Sequence, residues 1–271
     1  MTSSFDVDTA LERTGAGAFE GLVIPSWSVG RGPNGGFIAA LLLRALLLTV
    51  DNPDREPHSL TIHYIAPADE APVHITTAIE RSGRSLTTLS ARMLQGERLI
   101  ALALVAFATP REAQSFSELV MPDVPSPEAS TPVPPSGTML PTFTSKYTYR
   151  WAVGDLPFSG SSQSRIGGWM RLAEPRIADA MLVAAFLDGW IPAIFPRLTQ
   201  PIQSAVPTVD LTIHFHTRLP LPDATPDDFY LATFTAPHAT NGSFVEDGQL
   251  WSRNGILIAQ SRQLALMPSL T

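Results

Sequence analysis

One carboxylate stands alone in a long apolar stretch. Residues 180–195, AMLVAAFLDGWIPAIF, read as a single helix buried on most of its circumference, and Asp188 is their only charge. A buried carboxylate without a partner is costly, and it survives in a core only when hydrogen-bonded, paired or kept for chemistry. Gly189 and Pro192 leave a second reading open, in which Asp188 sits at a frayed helix end and touches water. Two further constellations could do chemistry. Gly30, Gly32 and Gly35 have GxGxxG spacing between a strand-like segment and an apolar helix, with Asp51 following at the distance of a dinucleotide fingerprint. His214 and His216 would place two imidazoles on one strand face, with His63 or His238 as an uncertain third metal ligand. No GxSxG is present, which disfavours a serine-elbow hydrolase.

The elements around these residues weigh the alternatives. Phe19 to Val29 read as a short strand region ending at GRGPNGG. Asn34 can cap the helix FIAALLLRALLLTV, whose one charge is Arg44, and Asp51, Asn52 and Pro53 stop it. Four strands follow in succession: SLTIHYIAP, VHITTAIERSG, SLTTLSARMLQG and RLIALALVAFA. Consecutive strands without intervening helices do not build the parallel sheet that gives a dinucleotide fingerprint its meaning. They imply an antiparallel sheet with the helix on one face, an α+β unit. The glycines then let a turn pass close to another backbone or a ligand.

Eight of the chain's 25 prolines fall between Pro110 and Pro141, so 110–141 reads as an extended linker. Beyond it the order repeats. TFTSKYTYRWAV and SRIGGWMRL lead to the Asp188 helix, with Pro175 suited to its first position, and four strand segments close the chain. The letters repeat too: Leu60-Thr61-Ile62-His63-Tyr64 matches Leu211-Thr212-Ile213-His214-Phe215, and Leu99-Ile100-Ala101 matches Leu257-Ile258-Ala259. The chain therefore reads as a tandem duplication, with one unit at 1–109 and a second at 142–271.

The totals exclude several classes. With 271 residues, 44% hydrophobic and 16% charged, the chain can bury a substantial core. A net charge of −7 argues against nucleic acid. The absence of cysteine removes disulfides, thiolate nucleophiles and Cys-based metal sites, and suits a reducing cytosol. The opening MTSSFDVDTALERTG lacks the pattern of a signal peptide, and the apolar run from Gly35 to Val50 falls short of a membrane span.

PNGGFIAALLLRAL, HSLTIHYIAPAD, LDGWIPAIF, and TVDLTIHFHTRLP with the closing LIAQSRQLALM resemble, in this order, the acyl-CoA thioesterase II (TesB-like) family. The blocks span most of the chain outside the linker. The resemblance implies a double hot dog, two tandem units each with a long central helix wrapped by an antiparallel sheet. It implies hydrolysis of acyl thioesters, an acyl-CoA substrate, no cofactor, no metal, a cytoplasmic location and a homo-oligomer. It also implies a catalytic group of Asp188, Thr208 and Gln263, with Asn34, Gly35 and Gly36 at the substrate. The departures are Trp190 and Pro192 after the aspartate, and HTRLP in the strand block, which bear on substrate shape and loop geometry.

The residue types suit the chemistry. A thioester carbonyl can be attacked directly by water, given a carboxylate to take a proton and neutral groups to hold the water's lone pairs. Asp188 can accept, Thr208 can donate and accept, and Gln263 offers both on one plane. The start of the first helix exposes N–H groups toward a developing oxyanion. Thr208 presents a difficulty, because strict alternation sets it with Asp210, Thr212 and His214, away from the apolar Leu211, Ile213 and Phe215, unless it is splayed at the strand start. Gln263 alternates with small Ala259, Ser261 and Ala265, which leaves room for a ligand. Superposing the repeats puts Pro57 opposite Thr208 and Val105 opposite Gln263, so only the second unit carries the polar set. A non-catalytic acyl-CoA or lipid-binding protein is the alternative, or a hot dog hydratase using His216 or His63.

Overall fold

The structure, a computed structural model, describes residues 3–134, 140–202 and 206–267. A short helix α1 (Ser4–Asp8) and a hairpin of β1 (Glu12–Gly15) and β2 (Ala18–Leu22) precede α2 (Gly35–Val50). The first half then runs through β3 (Glu56–Tyr64), β4 (Pro72–Ser82), β5 (Leu86–Gln95) and β6 (Arg98–Ala108). The second comprises β7 (Thr131–Val133), β8 (Tyr147–Gly154), β9 (Arg165–Leu172), α3 (Ala180–Phe186), β10 (Thr208–Phe215), β11 (Tyr230–Thr240), β12 (Ser243–Trp251) and β13 (Leu257–Leu266). All thirteen strands join one sheet in the order β1-β2-β4-β5-β6-β3-β10-β13-β12-β11-β9-β8-β7, and every pairing named below is antiparallel.

α2 is apolar over most of its surface because it is enclosed over most of its length, Leu48 in its last turn being exposed. Ten of its residues from Gly36 to Leu46 are buried, and it packs on β4, β5 and α3. Asn34 caps it as its type suggests, its Oδ1 accepting from Phe37 N at 3.2 Å, and Asp51 ends it in the left-handed region at φ 43°.

β3 and β10 pair across the middle and hold the halves together. Thr61 lies opposite Thr212, with their hydroxyls 3.1 Å apart, while Leu60 faces Ile213 and Ile62 faces Leu211. This reciprocity puts a pseudo-twofold axis between the two threonines. The repeat extends to the backbone irregularities. β3 pairs with β6 as Pro57↔Phe107, slips, and resumes through Leu60↔Val105. β10 pairs with β13 as Thr208↔Ala265, slips at the same place, and resumes through Leu211↔Gln263. Each bulge adds one residue to one strand and so reverses which face the residue before it presents.

Three expectations are corrected. The Asp188 helix is short: α3 stops at Phe186, and the amides of Asp188 and Gly189 reach back only three residues, to Ala185 O and Phe186 O. Gly189 and Pro192 supply the reason, one by cost and one by lacking an N–H. Among the described residues the two long central helices expected are therefore one long helix, α2, and one short one, α3. Pro175 is not at the helix start, where Asp179 caps instead by accepting from Leu182 N. Residues Phe19 to Val29 are strand only to Leu22, then a 3-10 turn at Pro25–Trp27.

The proline-rich stretch divides into two parts. Residues 110–120 are exposed and without regular structure. Past them, Met121 and Val124 pack against a cluster containing Trp169 and Trp251, Trp169 Nε1 donates to Pro125 O at 2.8 Å, and β7 pairs with β8. Within the stretch read as a linker, Thr131–Val133 is thus a strand, while residues 135–139 lie outside the described ones. Among the described residues no helix is long and apolar enough to cross a membrane.

Limited proteolysis should cut first within 110–120, and the two fragments should co-elute on gel filtration, because the β3–β10 pairing survives the cut. Separation into two folded monomeric pieces would contradict the shared sheet.

Candidate active site

The end of α3 meets the beginning of α2. Asp188 Oδ2 accepts from Gly36 N at 2.8 Å and from Asn34 Nδ2 at 3.0 Å, and Asn34 Nδ2 also donates to Asp188 O at 2.8 Å. Asn34 thus caps its own helix with its oxygen and clamps Asp188 with its nitrogen. The glycines are required by closeness. A Cβ on Gly35 would lie 2.8 Å from Asp188 Oδ2, and one on Gly36 would lie 2.7 Å from Ala185 O. Tyr64 donates to Gly35 O at 3.0 Å, and Tyr149 donates to Gly189 O at 2.6 Å, so both sides of the contact are pinned.

Asp188 keeps some solvent contact, but protein packs densely about it. Burial raises its pKa from 3.8 to about 6, against the lowering pull of the Gly36 amide, Asn34 and the Gly35 amide. The charge also pushes up the phenols of Tyr64 and Tyr147, where burial is the larger cause. A carboxylate poised at about 6 can take and return a proton near neutrality.

Thr208 and Gln263 form a second group. Thr208 Oγ1 donates to Gln263 Oε1 at 3.0 Å. The difficulty with alternation is resolved by the bulge: Thr208 pairs with buried Ala265, which brings its hydroxyl to the inner face. Gln263 is 8% exposed, on the same face as Ala259, Ser261 and Ala265. No direct hydrogen bond joins this pair to Asp188 among the described residues. The link is Glu246, which the sequence reading missed. This residue is 4% exposed; its Oε1 accepts from Gln263 Nε2 at 2.6 Å and its Oε2 from Ala193 N at 2.5 Å, in the loop that Asp188 opens. Burial raises its pKa to about 7 against those two hydrogen bonds, and the Asp188 charge adds to the rise. A signal was present in FVEDGQLW, where Glu246 alternates in phase with the core residues Phe244 and Leu250.

The expectation for Asn34, Gly35 and Gly36 is modified by the structure. The Gly36 amide donates to Asp188 at 2.8 Å, the Gly35 amide also acts on that carboxylate, and the Phe37 amide donates to Asn34 Oδ1, so all three amides at the start of α2 are directed at groups of the protein itself. His214 and His216 lie on the exposed face, where His216 Nε2 is 3.1 Å from Gln260 Oε1, and no group of three or more metal-ligating side chains occurs among the described residues. A cavity of about 400 Å³ lies away from Asp188, at the other end of α2, lined in part by Leu47, Val50, Pro57 and Asp179.

Residues 23–109 match the family model of the acyl-CoA thioesterase N-terminal domain, and residues 122–267 that of the acyl-CoA thioesterase C-terminal domain. No curated protein matches the chain. Among solved structures, a hot dog protein of unknown function from Alicyclobacillus acidocaldarius is 29% identical over 100% of both chains, with a TM-score of 0.89. A thioesterase II, described as putative, from Thermobifida fusca is 24% identical over 99% of this chain and 98% of its own, with a TM-score of 0.84. The TesB protein of Mycobacterium avium subs paratuberculosis is 22% identical over 99% and 100%, with a TM-score of 0.80.

The raised pKa of Asp188 has a consequence for stability. An acid whose folded pKa lies above its unfolded value weakens the fold as pH rises from 3.8 through 6, by about 3 kcal/mol for a rise of this size. Asp188→Asn should melt at or above the parent temperature at pH 8, with the difference closing toward pH 4. Calorimetry at both pH values checks this, and a deficit that grows with pH would show that the hydrogen bonds outweigh burial.

Proposed function

Because the chain belongs to the acyl-CoA thioesterase family and is a thioester hydrolase with a hot dog fold, we propose that Asp188 is its general base and that Thr208 and Gln263 position the attacking water. The observation that carries this assignment is a carboxylate of pKa about 6 held against the first turn of α2. Water between Asp188 and Thr208 adds through its oxygen to the thioester carbonyl carbon and gives a proton to Asp188. The carbonyl oxygen gains the negative charge and faces the positive end of α2. Collapse of the tetrahedral species breaks the C–S bond, and the departing thiolate takes the proton back from Asp188. The products are a free acid and a thiol, and no covalent enzyme intermediate forms.

Two observations favour this over the hydratase reading. His63 and His216 are exposed on the outer face, and neither is among the hydrogen-bond partners of Asp188. The polar set also favours one working site per chain. At the pseudo-equivalent positions stand Pro57 and Val105, whose side chains offer neither hydroxyl nor amide. Arg44, the one charge of α2, lies 3.6 Å from Asp6, and Asp6 and Asp179 share Arg176.

Asp188→Asn should lower kcat for acyl-CoA hydrolysis by about 10²–10⁴-fold, as expected for loss of a general base. Thiol release measured over a panel of acyl-CoA chain lengths tests this, and a variant that turns over at the parent rate removes Asp188 from the mechanism. A non-hydrolysable acyl-CoA analogue should saturate at one per chain by calorimetric titration. Saturation at two, with half the activity left in Asp188→Ala, would place chemistry in the first half.

A further inference from the structure

Glu246 is a carboxylate inside the core with two fixed neighbours of unequal freedom. Ala193 N is a backbone donor and cannot turn. Gln263 carries its oxygen and nitrogen on a plane that can rotate by half a turn. An ionised carboxylate only accepts hydrogen bonds, so it forces Gln263 to present Nε2 toward Glu246 and Oε1 toward Thr208. Thr208 must then spend its one proton on Gln263, as observed at 3.0 Å. Its remaining capacity is as an acceptor.

We propose that Glu246 is a positioning residue that sets the direction of the Glu246–Gln263–Thr208 hydrogen-bond chain, so that Thr208 offers the attacking water a lone pair and not a proton. This rests on the assignment of Thr208 and Gln263 to the water. A water that donates one proton to Asp188 and the other to Thr208 has its own lone pairs directed away from both, toward the electrophile. Reversing the chain makes Thr208 a donor, and the water then loses a lone pair to it. Glu246 thereby acts on the water through two intermediaries and touches neither water nor substrate.

Protonation reverses the chain without moving an atom far. A protonated Oε1 donates to Gln263 Oε1 after the amide turns, Gln263 Nε2 then donates to Thr208, and Ala193 N continues to donate to Oε2. The groups facing Glu246 are few. Asp188 raises its pKa from the α3 side, Asp247 on its own strand is paired outward with Arg262, and opposite it β11 bulges through Ala236 and Pro237 between Thr235 and exposed His238.

Glu246→Gln locks the reversed state, because its oxygen must face Ala193 N and its nitrogen must therefore face Gln263. Its kcat should fall on the order of 10²-fold with KM little changed, the cost of misorienting a reactant. The paired exchange Glu246→Gln with Gln263→Glu restores the direction: the new amide donates to the new carboxylate, which again accepts from Thr208. It should regain at least about tenfold over the single variant, a rescue that a merely structural carboxylate would not produce. Equal rates in parent and Glu246→Gln, or no gain in the exchange, would overturn the proposal. A second measurement does not depend on turnover. In protein labelled with 15N-glutamine, the Gln263 side-chain amide, assigned by its loss in Gln263→Ala, should shift with pH in the parent and stay still in Glu246→Gln. A Gln263 resonance that ignores both pH and the substitution rejects the chain's polarity. A parent that hydrolyses no thioester while this resonance titrates would instead reject the hydrolytic roles of Thr208 and Gln263.

Discussion

The contact between Asp188 and the first turn of α2 governs much of the rest. A carboxylate is tolerated there because the helix N-terminus offers unsatisfied N–H groups, and one of them, on Gly36, points at it from 2.8 Å. The approach has to be close. It needs residues without a Cβ at 35 and 36, a cap at 34 that can face two ways, and a break in α3 that turns the acid toward α2. Glycine is a poor helix former, so the two helices give up local stability to let Asp188 and the start of α2 meet. The same crowding that raises the pKa of Asp188 makes it a destabilising group, and on the proposed mechanism the destabilising and the functional effect have one origin.

The sheet supplies the other half of the geometry through an irregularity. An unbroken β10 would set the Thr208 hydroxyl on the outer face with Thr212 and His214. The extra residue before Asp210 reverses that and brings the hydroxyl to Gln263. An identical slip occurs at Pro57 in β3, where it serves no polar residue. The bulge therefore belongs to the repeated unit, and what differs between the halves is the side chain that occupies it.

The strands were legible in the sequence because turns of Gly, Pro and charge separate strongly apolar segments, and seven of the ten long strands lie within three residues of the segments read for them; β8 starts five residues late, after a 3-10 turn at Thr142–Lys146, β10 ends four residues early and β11 runs four residues further. Asn34 was legible as a cap for the same local reason. The length of the Asp188 helix was not. Hydrophobicity marks burial, and residues 190–195 are buried or half-buried as an irregular loop, which composition does not distinguish from a helix. Thr208 was legible only through a family resemblance, since a bulge leaves no trace in a pattern of period two. Glu246 was visible as a charge in phase with Phe244 and Leu250, but a single strand does not reveal that Gln263 and Ala193 wait on either side of it. β7 escaped notice because prolines normally forbid a strand; here Pro132 sits on an outermost strand with one partner, where the missing N–H is tolerated.

Joining the halves in one chain has a consequence beyond holding them together. Two identical subunits placed about the Thr61–Thr212 axis would each contribute the same residue at every position, so a proline in one bulge would mean a proline in both. A shared polypeptide removes that identity. One bulge can hold Thr208 and the other Pro57, and one helix can stop short and turn Asp188 aside while the other keeps its length and donates to that carboxylate from Gly36 N. Covalent linkage also keeps the partners at a high effective concentration, so neither face must retain the affinity that independent copies would need to find each other. Selection can then work on the two halves separately, and the first half is free to drift in every respect except the wall, the strand edge and the helix end that it presents to the second.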